Sequence, residues 1–226
     1  MALGTHSLAA HHLRLDRGGR ALFDNLSFTV EPGHALILKG ANGSGKTSLL
    51  RVLAGLTLPD AGFIDWAGER MKALSRRCRR ATLYLGHANA LKDELSAEEN
   101  LIDALAIDGV SFEPGAALHA LGLAGLSERR QVAARRLSQG QKRRVGLARL
   151  SLALSHKPHK PLWLLDEPTN ALDSEGVALF TKLIGDHLAR GGIACIATHL
   201  ALNFATPATA LELSLDSPTA MNKIAS

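Results

Sequence analysis

Gly40-Ala41-Asn42-Gly43-Ser44-Gly45-Lys46-Thr47 satisfies the pattern GxxxxGK[ST] at every defined position, and its reading decides the fold. The glycines let successive backbone N–H groups converge on phosphate oxygens, and a helix starting near Lys46 aims its positive end at the same point. Lys46 is placed for the β- and γ-phosphates of a nucleotide and the Thr47 hydroxyl for Mg²⁺, with Ser48 the next nucleotide-binding position. The context agrees. Glu31-Pro32-Gly33 turns the chain into Ala35–Lys39, short and apolar like a buried strand, and the helix after the loop should stop near Gly55.

Moving outward, Ser7–Leu15 and Leu26–Val30 alternate as strands about a turn at Gly18–Gly19, and Phe63–Trp66 and Ala81–Leu85 read as further strands. From about Ala88 the texture becomes helical. Ser96-Ala97-Glu98-Glu99 is a capping box ahead of Asn100–Ile107, Glu113–Leu121 is a second helix candidate, and Ser138 is placed to cap a helix from Gln139 to about Ser155. β/α texture returns with Leu162–Asp166, Ser174–Arg190 and Ile193–Thr198. The expectation is an α/β protein with an N-terminal antiparallel β subdomain, residues 1–226 forming one domain, and a helical subdomain inserted at about 88–155.

Composition bounds the class. The 226 residues are 46% hydrophobic, enough to bury a core, and the formal net charge of +5 permits an anionic partner without choosing one. Aromatics at 4% are few for stacking single-stranded bases. Cys78 and Cys195, the two cysteines, cannot build a disulfide framework or a four-ligand zinc site. The first residues lack the apolar core of a secretory signal, and no run reaches the ~18 apolar residues of a membrane span. A cytosolic location is expected. The arginines of Arg76-Arg77-Cys78-Arg79-Arg80, Arg129-Arg130 and Arg135-Arg136 read as a solvated face, with lipid or an acidic partner the main alternative.

Leu162-Trp163-Leu164-Leu165-Asp166-Glu167 is an apolar strand ending in two acids. Ligands gather at the C-terminal ends of buried parallel strands. Asp166 suits an outer role on Mg²⁺ through water, and Glu167 the activation of an attacking water as general base. Alone, the pair also admits reading as an acidic turn capping the next helix. Leu137-Ser138-Gln139-Gly140-Gln141 opens a basic helix and offers either a second anion site or an ordinary cap. His199, just past its strand, either bonds a γ-phosphate or is a satisfied polar residue.

The ordered set Gly40–Thr47, Leu137–Gln141, Leu164–Glu167, Ala171-Leu172-Asp173 and His199 resembles the ATP-binding cassette (ABC) ATPases over nearly the whole chain. The resemblance implies an ATP-dependent homodimer in which the phosphate loop of one copy and the Ser138–Gln141 signature of the other enclose each ATP. It gives His199 the switch role beside Lys46 and Glu167 in catalysis, and makes Asn170–Asp173 the loop that crosses the dimer. Two positions depart from the family pattern. Where an aromatic usually stacks on adenine this chain has Arg17, whose guanidinium can also lie flat on a base. Where a glutamine usually stands this chain has His87, a poor ligand for a hard cation, so His87 is expected in coupling.

The stretches around Tyr84–Leu101, Pro161–Pro168 and Gly191–His199 are similar to the ATP-binding subunits of the haem exporter of bacterial cytochrome c maturation. That resemblance implies ATP and Mg²⁺ as cofactors and a peripheral place on the cytoplasmic face of the inner membrane. Its implied partners are integral permease subunits, a haem-handling protein and a haem chaperone, with no direct nucleic acid contact. Other ABC importers or exporters share all of this chemistry. A soluble ABC ATPase acting on nucleic acid fits less well, because the single phosphate loop and the short interval from His87 to Ser138 leave no room for a coiled-coil insertion or a second cassette.

Overall fold

A computed structural model describes residues 6–72, 75–86, 90–109, 113, 115–155, 159–199 and 210–214. Expectations at His87 and His156 lie outside them.

Two sheets form the framework. The first is antiparallel, in the order β2-β1-β4-β5, from β1 (Leu8–Arg17), β2 (Arg20–Val30), β4 (Ala61–Trp66) and β5 (Glu69–Arg70). The second holds β6 (Thr82–Leu85), β7 (Leu162–Asp166), β8 (Ile193–Ala197), β3 (Ala35–Lys39) and β9 (Ala210–Ser214), in the order β6-β7-β8-β3-β9, with every pairing parallel.

The parallel strands are continuous apolar runs because both faces are covered. Their two-residue period divides one strand between two cores. Leu36, Leu38, Leu162, Leu164 and Cys195 face one way, packing with Leu13, Phe23, Leu49 and Trp66 between the sheets. Ile37, Trp163, Leu165 and Ile196 face the other way, under the helices.

Helix α1 (Lys46–Leu53) follows the phosphate loop and lies in the first core, with Leu49, Leu50, Val52 and Leu53 buried. A short α2 (Arg76–Ala81) leads into β6, with Arg76, Arg79 and Arg80 exposed and Cys78 buried. That agrees with a solvated basic face. Between β6 and β7 the elements are helical: α3 (Ala97–Asp108), α4 (Ala116–Leu123), single 3-10 turns at Ser127–Arg129 and Ala134–Arg136, and α5 (Gln139–Ser155). Helix α6 (Ser174–Ala189) joins β7 to β8.

The predicted capping box exists: Ser96 N donates to Glu99 Oε2 at 2.7 Å, and Glu99 N to Ser96 Oγ at 3.2 Å. Helix α4 starts later than the predicted Glu113, because its N-cap Gly115 takes left-handed backbone (φ 87°). Strand β2 runs six residues further back than its apolar end suggests, and β5, α2 and β9 were not anticipated from the sequence.

Candidate functional site

The site assembles at the C-terminal ends of β3, β7 and β8, where a parallel sheet delivers its loops to one edge. The loop after β3 carries residues 40–45, β7 ends in Asp166 and Glu167, and His199 follows β8. Together they line a cavity of 460 Å³ with Asn42, Gly43, Gly45, Lys46, Thr47, Ser48 and Asn170. Gly45 is the N-cap of α1 at φ 110°, and a Cβ there would stand 3.2 Å from Leu22 Cβ, so backbone and space both demand glycine.

Lys46 is buried, and its Nζ donates to the carbonyls of Gly40 at 2.6 Å and Ala41 at 3.0 Å. The ammonium is thus held inside the loop whose N–H groups would surround a phosphate. Thr47 Oγ1 donates to Asp166 Oδ2 at 2.8 Å, joining α1 to β7 directly. Hydroxyl and carboxylate oxygens side by side are the donor set a hard cation takes.

Asp166 and Glu167 are almost fully buried, at 1% and 7% exposure. Glu167 has φ 47°, a left-handed conformation that costs a non-glycine residue on the order of 1–3 kcal/mol. Its N–H bonds the Ala197 carbonyl at 2.9 Å, holding the strained turn against β8. His199 Nε2 lies 3.2 Å from Glu167 Oε1 and 3.2 Å from Asn42 Oδ1. It therefore links acid and phosphate loop.

The signature segment lies elsewhere. None of Leu137, Ser138, Gln139, Gly140 or Gln141 lines the phosphate cavity. Ser138 and Gln141 cap α5 reciprocally, Ser138 N donating to Gln141 Oε1 at 3.0 Å and Gln141 N to Ser138 Oγ at 3.1 Å, so the predicted cap is real. Ser138 is exposed and Leu137 buried. Gly140 admits no side chain: a Cβ would come within 2.6 Å of the Ala171 carbonyl. Ala171 itself is left-handed (φ 62°), Leu172 packs beneath, and Asp173 caps α6 by accepting from Gly176 N at 2.9 Å. Arg144 Nη2 clamps the same carboxylate at 2.6 and 2.8 Å, holding it below the usual carboxylate range. Signature and Asn170–Asp173 loop are one packed unit of the same chain.

Arg17, at the end of β1, is exposed and lines a second, broader groove with Leu58, Phe63 and Arg70 rather than the phosphate cavity. Leu22 of β2 takes the place beside the phosphate loop, which sequence reasoning missed; the polar pair Asp24-Asn25 separates it from the apolar end of β2 and hid it. Also missed were Arg143 and Arg144, read only as basic residues of a helix. Of the histidines read as surface, His12 and His159 are exposed, while His11 is half-buried, stacked on Phe63 and 3.1 Å from Asp65. Among the described residues no cluster of three or more His, Cys, Asp or Glu could hold a metal ion, and no helix is long and apolar enough to cross a membrane.

Known proteins with this arrangement are numerous. The ABC transporter family matches residues 23–170. The cytochrome c biogenesis ATP-binding export protein CcmA of Aromatoleum aromaticum is 45% identical over 95% of this chain and 98% of its own length. The protein of the same name from Dechloromonas aromatica is 46% identical over 87% and 94%. Among solved structures, an ATP-binding subunit of an ABC transporter superposes with a TM-score of 0.73 at 25% identity, over 85% of this chain and 79% of its own. A putative ABC transporter ATP-binding protein of Pyrococcus furiosus, at 23% identity, reaches 0.75 and supports the fold alone. With the nucleotide loop, paired acids, signature and histidine placed as above, the chain belongs to the ABC transporter ATPases and, within them, to the CcmA family.

Proposed function

We propose that this chain is the ATP-hydrolysing subunit of the haem exporter of bacterial cytochrome c biogenesis, driving release of a haem-loaded chaperone from a membrane complex. One observation carries the chemistry: Glu167, His199, Asp166 and Thr47 meet in a single array beside Lys46, the two acids buried and Thr47 and His199 open to solvent, with contacts of 3.2 and 2.8 Å. The transport assignment is supported by 45% identity to CcmA over 95% of the chain.

The residues divide the work. Lys46 exchanges its loop carbonyls for β- and γ-phosphate oxygens, while residues 40–45 present N–H groups to the phosphates. Thr47 and, through water, Asp166 would hold Mg²⁺, which neutralises phosphate charge. Glu167 accepts a proton from the attacking water, and His199 holds that water and the γ-phosphate in line. Burial of both acids strengthens these interactions. For the base, Leu22, which lines the phosphate cavity, offers an apolar contact, while Arg17 lies in the separate groove with Phe63 and Arg70.

The exposed Ser138 and its neighbours complete the site of a second copy, and Asn170–Asp173 crosses between copies. His87, beside Gly86 at the end of β6, contacts the integral partners that hold the ATPase on the cytoplasmic face of the inner membrane. No nucleic acid is expected in the complex.

The test uses Glu167→Gln protein, extracted with ATP from native membranes in mild detergent. Integral subunits with a haem-absorbing chaperone are expected. Ribosomal or nucleic acid partners without a membrane subunit would overturn the transport reading, and wild-type turnover by the variant would overturn the base.

A further inference from the structure

Arg143 stands two residues after the signature on α5 and is 4% exposed. Arginine is rarely buried to that degree unless other groups compensate its charge. Its Nη1 donates to the Gly86 carbonyl at 3.2 Å, at the point where β6 hands over to the segment carrying His87. Burial lowers its pKa, and the negative charges of Asp166 and Glu167 act against that. Gly86 follows Leu85, which pairs with Leu165, the residue before Asp166, so the guanidinium is bonded next to the acidic end of β7; it does not line the phosphate cavity.

Its neighbours on α5 aim elsewhere. Arg144 reaches the Ala124 carbonyl and Asp173. Arg149 reaches Asp108 and, at 3.4 Å, the Tyr84 carbonyl. The signature helix thus carries three arginines with three addresses: the crossing loop, the inserted helices, and the end of β6 beside the acidic end of β7.

Two carboxylates adjacent in sequence and buried together repel each other, and a buried cation at the neighbouring strand end, outside the phosphate cavity, offsets that repulsion. We propose that Arg143 is a positioning residue for ATP hydrolysis: it ties the signature helix to the end of β6 and holds Asp166 and Glu167 in their reactive arrangement. A shift of α5 on engagement of the signature then reaches the end of β6, beside the acidic end of β7, through one side chain. The proposal rests on the ATPase reading above and deepens it.

The test compares Arg143→Gln, Arg143→Lys and wild-type full-length protein, measuring kcat, KM, affinity for a fluorescent ATP analogue and thermal midpoint. Arg143→Gln is expected to lose about tenfold or more in kcat while KM and nucleotide affinity stay within about twofold. Arg143→Lys, keeping the charge, should recover at least about a third of wild-type kcat. Three results each overturn the proposal: kcat of Arg143→Gln within about twofold of wild type, a loss carried by KM instead, or Arg143→Lys as impaired as Arg143→Gln. If Arg143→Gln loses its cooperative melt, Arg143→Lys decides alone. A fall in its kcat below about a tenth at an unchanged midpoint overturns the proposal, and a smaller fall at unchanged KM supports it. Glu167→Gln runs beside them, since turnover there sinks the ATPase reading itself, whereas silence there with full activity in Arg143→Gln sinks only the role of Arg143.

Discussion

Single side chains here do separable jobs. Lys46→Ala removes the ammonium that lines the phosphate cavity, so ATP affinity measured by fluorescence titration should fall by about a hundredfold or more. Glu167→Gln should leave that affinity intact and abolish phosphate release, which also traps an ATP-bound dimer visible by size-exclusion chromatography. His187 belongs to stability instead. It is buried, stacks on Trp163 at 3.9 Å and bonds the Ile193 carbonyl at 3.1 Å; burial pushes its pKa from 6.5 down to about 4. The folded state then holds the neutral ring while the unfolded chain takes a proton. Stability is fully present above pH 6.5 and falls as the pH drops toward 4, by about 3 kcal/mol in all. Urea denaturation at stepped pH should show that slope, and His187→Phe should flatten it.

At the scale of elements, what ties the inserted helices to the sheet is electrostatic as well as apolar. Asp108, at the end of α3, takes Arg149 of α5 at 2.7 Å and Lys160, just before β7, at 3.6 Å. Lys160 also donates to the Arg79 carbonyl of α2 at 2.8 Å. Lys160 is almost wholly buried, so removing its counter-charge strands a cation. Asp108→Asn should lower stability by about 3 kcal/mol, read from chemical denaturation. Ser96→Ala, which breaks only the capping box, should cost about 1 kcal/mol. The contrast follows the sequence: a capping box is local, and Ser96 with Glu99 announced it four residues at a time. The Asp108 cluster joins residues dozens of positions apart and left no pattern to read. Strand β5 and helix α2 escaped for a related reason, being too short to show a period.

At the scale of the molecule, one chain keeps its phosphate cavity and its signature apart. Its cavity holds the phosphate loop, the acids and His199, while Ser138 and Gln139 of the signature are exposed outside it, where the proposed dimer would bring them to another copy. A mixture tests this. Lys46→Ala and Ser138→Arg should each be inactive alone, yet mixed dimers contain one intact pairing of loop and signature. Equal mixing should restore about a quarter of wild-type hydrolysis, and no recovery would place both halves on one chain. The sequence by itself determined the phosphate loop, the acidic end of β7, the signature and the α/β class, because each depends on spacing within a few residues. It also determined the family, through the order of those motifs. Only the tertiary structure decided that Leu22, not Arg17, stands beside Gly45, that Gly140 is required by the Ala171 carbonyl, and that Arg143 bonds the Gly86 carbonyl next to the acidic end of β7. The first arises where β2 meets the loop before α1 and the others where the ends of β6 and β7 meet α5, and packing between distant segments is set by the whole core at once rather than by any stretch of it.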